Sequence, residues 1–181
     1  MPTSANVSVG KPAIAGAVFV APVGTTLPTD AVTALDAAFA GLGYVSEDGL
    51  TNTMSIDSDN VKAWGGDTVL PIQTGFTDEF SLTLIESLNE DTLKTVFGAS
   101  NVAGTIATGL SINVNSDEKE PHAWVVDMIL RGNHVKRIVV PSATITDIGE
   151  IVYKDDEAIC YELTLTAVSD ASGNSHYEYI K

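Results

Sequence analysis

Apolar residues recur at every second position through most of the chain. In "FTDEFSLTLIES" (76–87), Phe80, Leu82 and Leu84 share one face, and Glu79, Ser81 and Thr83 take the other. "AWVVDMILR" (123–131) sets Trp124, Val126, Met128 and Leu130 against Asp127 and Arg131. "AICYELTLTAV" (158–168) sets Ile159, Tyr161, Leu163 and Leu165 against Glu162, Thr164 and Thr166. "TIATGLSINV" (105–114) reads as a fourth such strand, with Ile106, Leu110, Ile112 and Val114 together. A period of two marks strands covered on one face, as in antiparallel sheets. Gly132-Asn133 predicts a tight hairpin turn, and "KDDE" (154–157) predicts a second. Ile145 and Ile148 fall on opposite faces just before Gly149, which predicts a β-bulge.

Two segments carry a helical period instead. "LNEDTLKTVFGAS" (88–100) has Asn89 as cap, Glu90 and Asp91 in the first turn, Gly98 as stop, and Leu93, Val96 and Phe97 as its apolar stripe. This predicts one α-helix at about 88–98. "PTDAVTALDAAFAGLG" (28–43) suits a shorter helix, capped by Thr29 or Asp30, with Leu35, Ala38, Phe39 and Leu42 inward. Between a strand near "TMSID" and the strand opening at Phe76 lies "SDNVKAWGGDTVLPIQTG" (58–75), long for a hairpin connection. Its Val61, Trp64, Val69, Leu70 and Ile72 fit poorly with disorder. The expectation is a long loop arm, with Trp64 as an aromatic anchor beside the Gly65-Gly66 hinge and with Lys62 and Asp67 flanking it. The plainer alternative is a wide hairpin whose Trp64 folds back on its own core.

Composition alters this picture in two ways. At 181 residues with no internal repeat or linker, the chain reads as a single domain, 1–181, with residues 1–14 as an N-terminal arm. Charged residues make up 18%, below the usual share of about 25%. That thin coat suits a surface covered by further copies of the chain, or equally a Ser/Thr-rich β exterior. Twenty-four acids against nine Lys and Arg give a formal charge of −15. Such a field repels phosphates, so nucleic-acid grip is excluded as a function class. No run reaches the roughly 18 apolar residues of a membrane span. The start lacks the basic region of a signal peptide, so the protein reads as soluble and made in the cytoplasm.

Candidate chemistry is sparse. Cys160 is the single cysteine, and its place in a strand pattern predicts a small buried hydrophobe. His122, His134 and His176 lack metal-pair spacing and read as hairpin-edge surface positions. "DSDN" (57–60) begins like a calcium loop, but Lys62 stands at the turn-glycine position and Thr68 at the terminal glutamate. No phosphate loop, nucleophile elbow or dinucleotide fingerprint occurs. The expectation is no enzyme, no catalytic residue, no metal and no cofactor. A hydrolase built on an acidic pair ranks last among the readings. A β-sandwich binding module recognising a host ligand on a virion or cell surface stands as the alternative to a structural role.

Four stretches together carry a resemblance: "AGAVFVAPVGTTLPTDAVTALDAAFAGLGYVSEDGLT" (15–51), "VKAWGGDTV" (61–69), "FTDEFSLTLIESLNEDTLKTVFG" (76–98) and "GEIVYKDDEAICYELTLTAV" (149–168). In their order they resemble the major tail proteins, or tail-tube proteins, of long-tailed bacteriophages and prophages of siphophage type. The resemblance implies an antiparallel β-sandwich or rolled β-barrel with one flanking helix, as in type VI secretion tube proteins. It implies hexameric rings of the chain itself, stacked into a tube that delivers the genome. The tape measure, tail tip and terminator would be further partners, and DNA would pass without specific binding. It places the protein in the virion tail, assembled in the host cytoplasm. On it, Lys62, Trp64, Gly65, Gly66 and Asp67 belong to an assembly arm. Asp127 and Glu162, on the polar faces of strong strands, are the candidate acids facing the bore.

Overall fold

The computed structural model describes residues 2–13 and 16–181. Alternation dictates the architecture: the chain is mainly antiparallel β with one α-helix. The strands are β1 (Lys11–Pro12), β2 (Val18–Pro22), β3 (Ala40–Gly41), β4 (Val45–Lys62), β5 (Thr68–Leu84), β6 (Val102–Thr105), β7 (Gly109–Ile112), β8 (His122–Ile129), β9 (Val135–Ile148), β10 (Tyr161–Ala167) and β11 (Tyr177–Ile180). Helix α1 is Glu90–Phe97. Nine strands form one sheet in the order β3-β2-β8-β9-β10-β5-β4. β1 pairs the same edge of β8 as β2, and β11 the same edge of β9 as β10. β6 and β7 form a separate hairpin.

The sheet rolls so that one face encloses the core, without closing into a barrel, since β4 and β3 end the pairing order. Trp124, Val126 and Val140 meet Phe80, Leu82, Leu163 and Leu165 across the roll. Full burial of each such side chain contributes about 1.5–3 kcal/mol. Leu93 and Val96 of α1 cover the same core, and Phe97 lies edge-on to Tyr161 with ring centroids 5.7 Å apart. Asn89 caps the helix as its sequence predicts, accepting from the backbone N–H groups of Asp91 (3.0 Å) and Thr92 (3.3 Å). Asn89→Ala is expected to lower stability by about 1 kcal/mol, read as a shifted denaturation midpoint. Gly98, at φ 100°, ends the helix in a conformation that glycine adopts without strain.

Several expectations are corrected. Residues 28–43 form no helix. Asp30 accepts from Val32 N (2.7 Å) and Thr33 N (2.6 Å), and Asp36 accepts from Ala38 N (2.9 Å). These side chains offer the backbone turns in place of helical bonds. The resulting coil is held to the sheet by Arg137 Nη1, which donates to the carbonyls of Asp30 and Thr33. It contributes a buried Ala31, while Ala21, Ala123, Val125 and Val139 are buried outside the main core cluster. Leu42 is inward, as expected.

Residues 105–114 are not one strand: the turn after Thr105 splits them between β6 and β7, leaving Ile106 and Val114 exposed. Gly132 (φ 79°) and Asn133 (φ 63°) do make the β8–β9 turn, inside a five-residue connection closed by Leu130 N donating to His134 O. "KDDE" sits in a longer connection between β9 and β10. The predicted bulge is present: Leu163 pairs Ile148 and Leu165 pairs Ile145, so Thr146 is extra and both isoleucines reach the core side. Cys160 lies just before β10 and is half-buried, not enclosed within a strand.

Candidate assembly surface: the β4–β5 arm

Residues 58–75 are not a loop. β4 and β5 pair continuously from Leu50↔Leu82 to Lys62↔Thr68, and their outer halves project beyond the roll as a two-stranded arm. The long-loop reading of 58–75 is thus corrected to the wide hairpin, but Trp64 does not fold back. At a relative exposure of 107% it stands clear of every other side chain. Pro71 is tolerated because each strand of a two-stranded ribbon is an edge. From Asp57 to Trp64 the arm extends roughly 25 Å at about 3.3 Å per residue.

The tip is a defined turn. Ala63 N donates to Asp67 O (2.8 Å) and Gly66 N to Ala63 O (3.0 Å). Gly65 and Gly66 hold φ of 119° and 100°, which explains the glycine pair: a side chain at either would be strained. Lys62 ends β4 beside this turn, and Asp67 closes it.

A bulge divides the arm's apolar residues between its faces. Directly opposed residues of an antiparallel pair share a face. Ile56↔Phe76 and Met54↔Asp78 continue the core-facing side of the sheet. Between Asp57↔Gly75 and Ser58↔Gln73, Thr74 is extra. Beyond it Asp59↔Ile72 and Val61↔Leu70 lie on the opposite face, while Ser58, Asn60, Gln73 and Pro71 continue the first. A Cβ on Gly75 would meet Asp57 Oδ2 at 2.9 Å, so a side chain there would have to push the exposed Asp57 carboxylate aside.

At the root of the arm sits a polar cluster that strand alternation alone does not suggest. Asp78 occupies a core-facing position in register with Phe80, Leu82 and Leu84, yet is 1% exposed. His176 Nδ1 and Ser175 Oγ each lie 2.5 Å from its Oδ2, and Asn52 Nδ2 donates to Oδ1 at 2.7 Å. Burial opposes ionisation of Asp78, but these donors outweigh it and hold its pKa below the ordinary carboxylate value. His176 is therefore no surface residue; it also stands edge-on to Phe80, with centroids 5.3 Å apart. The cluster ties the segment before β11 to both strands of the arm. The signal for it in the sequence was Asp78 itself, a charge interrupting an apolar register. His134 is exposed in the β8–β9 turn, and His122 is half-buried at the start of β8.

Asp127 is engaged within the chain. Arg137 donates to it through Nε (2.6 Å) and Nη2 (2.8 Å), and through Nη1 to the carbonyls of Thr33 (2.7 Å) and Asp30 (3.2 Å). The hydrogen bonds to the Asp127 carboxylate raise the Arg137 pKa. The Asp30 pKa is held down to about 2 by the Thr33 hydroxyl and the N–H groups of Thr33 and Val32, bonds that form the local turn at the start of the coil. Glu162 is exposed on the outer side of β10 and takes part in no ion pair among the described residues. Among the described residues no group of His, Cys, Asp and Glu is placed to hold a metal ion. No helix there is long and apolar enough to cross a membrane.

No curated protein matches the chain. Among solved structures, the cryo-EM structure of the anti-feeding prophage cap, a tube-terminating cap, aligns over 100% of both chains at 13% identity with a TM-score of 0.48. Across residues 3–181 the sequence matches the family described as phage tail tube protein, and the chain belongs to that family.

Proposed function

We propose that copies of this chain form hexameric rings that stack into the tail tube of a siphophage-type virion, the conduit for genome delivery into the host. A structural part in the virion tail follows from family membership; the ring number, the stacking and the conduit are our reading. The observation that carries it is the arm, whose Met54, Ile56, Val61, Trp64, Leu70, Ile72 and Phe76 are all exposed on an isolated chain. Exposed apolar surface on this scale, borne on a strand that ends the sheet, calls for a partner. Lys62, Trp64, Gly65, Gly66 and Asp67 form the contact at its end, with Trp64 as the anchor.

The role is structural and not catalytic. Assembly takes place in the host cytoplasm, and the tube meets the tape measure, tail tip and terminator. The formal charge of −15 suits a bore that repels DNA and does not bind it. Of the two acids singled out for that lining, Glu162 has the free carboxylate, whereas Asp127 is neutralised by Arg137.

Negative-stain electron microscopy beside light scattering, across a concentration series, tests this reading. Wild-type protein is expected to form rings and hollow tubes. Trp64→Ala is expected to raise the critical concentration about 30-fold, the effect of losing a contact worth about 2 kcal/mol. A wild-type chain that stays monomeric at every concentration would overturn the proposal.

A further inference from the structure

Four of the nine Lys and Arg residues gather at one end of the sheet: Lys11, Arg131, Lys136 and Lys181. β1 places Lys11 opposite Ile129, the β8–β9 turn carries Arg131, and Val135 exchanges both backbone hydrogen bonds with Lys181. Lys136 is spent on Glu178 at 2.7 Å, while Lys11, Arg131 and Lys181 are exposed and enter no ion pair among the described residues. Exposed apolar groups stand among them. Val7 and Val9 precede β1, in a segment tied to the turn by Arg131 N donating to Ser8 Oγ (2.7 Å), and Ile180 ends β11. In a chain of formal charge −15 these bases are grouped together, with Glu47 and Asp48, in no ion pair among the described residues, lining the same cleft as Lys11.

The far face of the arm has the complementary character. Beyond the Thr74 bulge it presents Val61, Leu70 and Ile72 together with Asp57 and Asp59. Lys62, the one base of the arm, lies on the other face by strand alternation. We infer that the far face of one copy's arm docks on the β8–β9 end of a second copy, with Asp57 and Asp59 facing Lys11, Arg131 and Lys181 around an apolar centre. This rests on the tube reading and names its receptor. The two surfaces lie on different parts of the chain, so the contact is head-to-tail, and such a contact propagates into rings or stacks without self-limiting at a dimer. Charge complementarity fixes the register and speeds encounter, and the apolar trio supplies most of the affinity.

A charge exchange tests the docking by light scattering and microscopy. Asp57→Lys with Asp59→Lys should raise the critical concentration about tenfold, as should Lys11→Glu with Arg131→Glu, because each turns two attractive pairs repulsive. All four substitutions in one chain should return it to within about twofold of wild type, and wild-type assembly should weaken as salt rises. Should a reversed variant fail to melt cooperatively, the neutral pairs Asp57→Asn with Asp59→Asn and Lys11→Gln with Arg131→Gln replace it, with smaller shifts expected. Wild-type tubes combined with a four-fold variant no better than either pair would overturn the docking while leaving the tube reading intact. A wild-type chain that never assembles would overturn both.

Discussion

Excising the arm is expected to abolish assembly and leave the fold unchanged. Asp57 and Gly75 are direct cross-strand partners. Replacing residues 58–74 by Asn-Gly therefore joins two positions already adjacent, through a turn whose twist matches the strands. All of the residues removed are exposed, and none belongs to the core. The shortened protein should melt within a few degrees of the intact one. Its tubes should vanish at concentrations at least about a hundredfold above those sufficient for wild type, since several exposed apolar contacts are lost at once. Scattering that still rises with concentration, with rings in the micrographs, would mean that the arm is not the assembly element.

The second large effect lies at the arm's root. Asp78→Ala would leave His176, Ser175 and Asn52 turned toward a buried gap, and a loss of about 3 kcal/mol is expected. In a chain of this size that is roughly 6–12 °C in Tm. The acid limb carries the same information. The folded-state pKa of Asp78 lies below its unfolded value of about 3.9, so its contribution is complete above that pH and fades as pH falls through the folded value. Denaturation midpoints measured from pH 6 down to pH 2 should fall below about pH 4 in wild type. Asp78→Asn should be less stable at pH 6 and flatter below pH 4. Parallel curves for the two proteins would remove Asp78 from the acid response.

How far the sequence could be read depends on where side chains meet a core. β5, β8 and β10 were legible because one face of each is buried over several alternations, and α1 because Asn89 and Gly98 punctuate it. The arm was not, because its outer half touches nothing within the chain, so no apolar face had to be kept. Its bulge at Thr74 also shifts Ile72 and Leu70 out of phase with Phe76 and Phe80 relative to β4. The 28–43 segment misled because Asp30 and Asp36 can cap a helix or sustain a turn, and only the neighbouring Arg137 of the sheet decides which. The exposure of Trp64 beside its glycine pair was legible, whereas the Asp78 cluster depends on a partner almost a hundred residues away.

The arm's pairing is local, as is that of β8 with β9, and this has a consequence in time. A hairpin zips within microseconds once both strands exist, and β4 and β5 are complete by residue 84. β1 and β11, which complete the basic end, pair with β8 and β9 across longer stretches of chain, and such pairing closes slowly. If the arm docks as proposed, a nascent chain displays its plug before its socket is complete. On the proposed docking, a chain whose last strand is not yet laid down can be captured by finished subunits but cannot capture another, so a molecule becomes a receptor for the next only once it has completed folding.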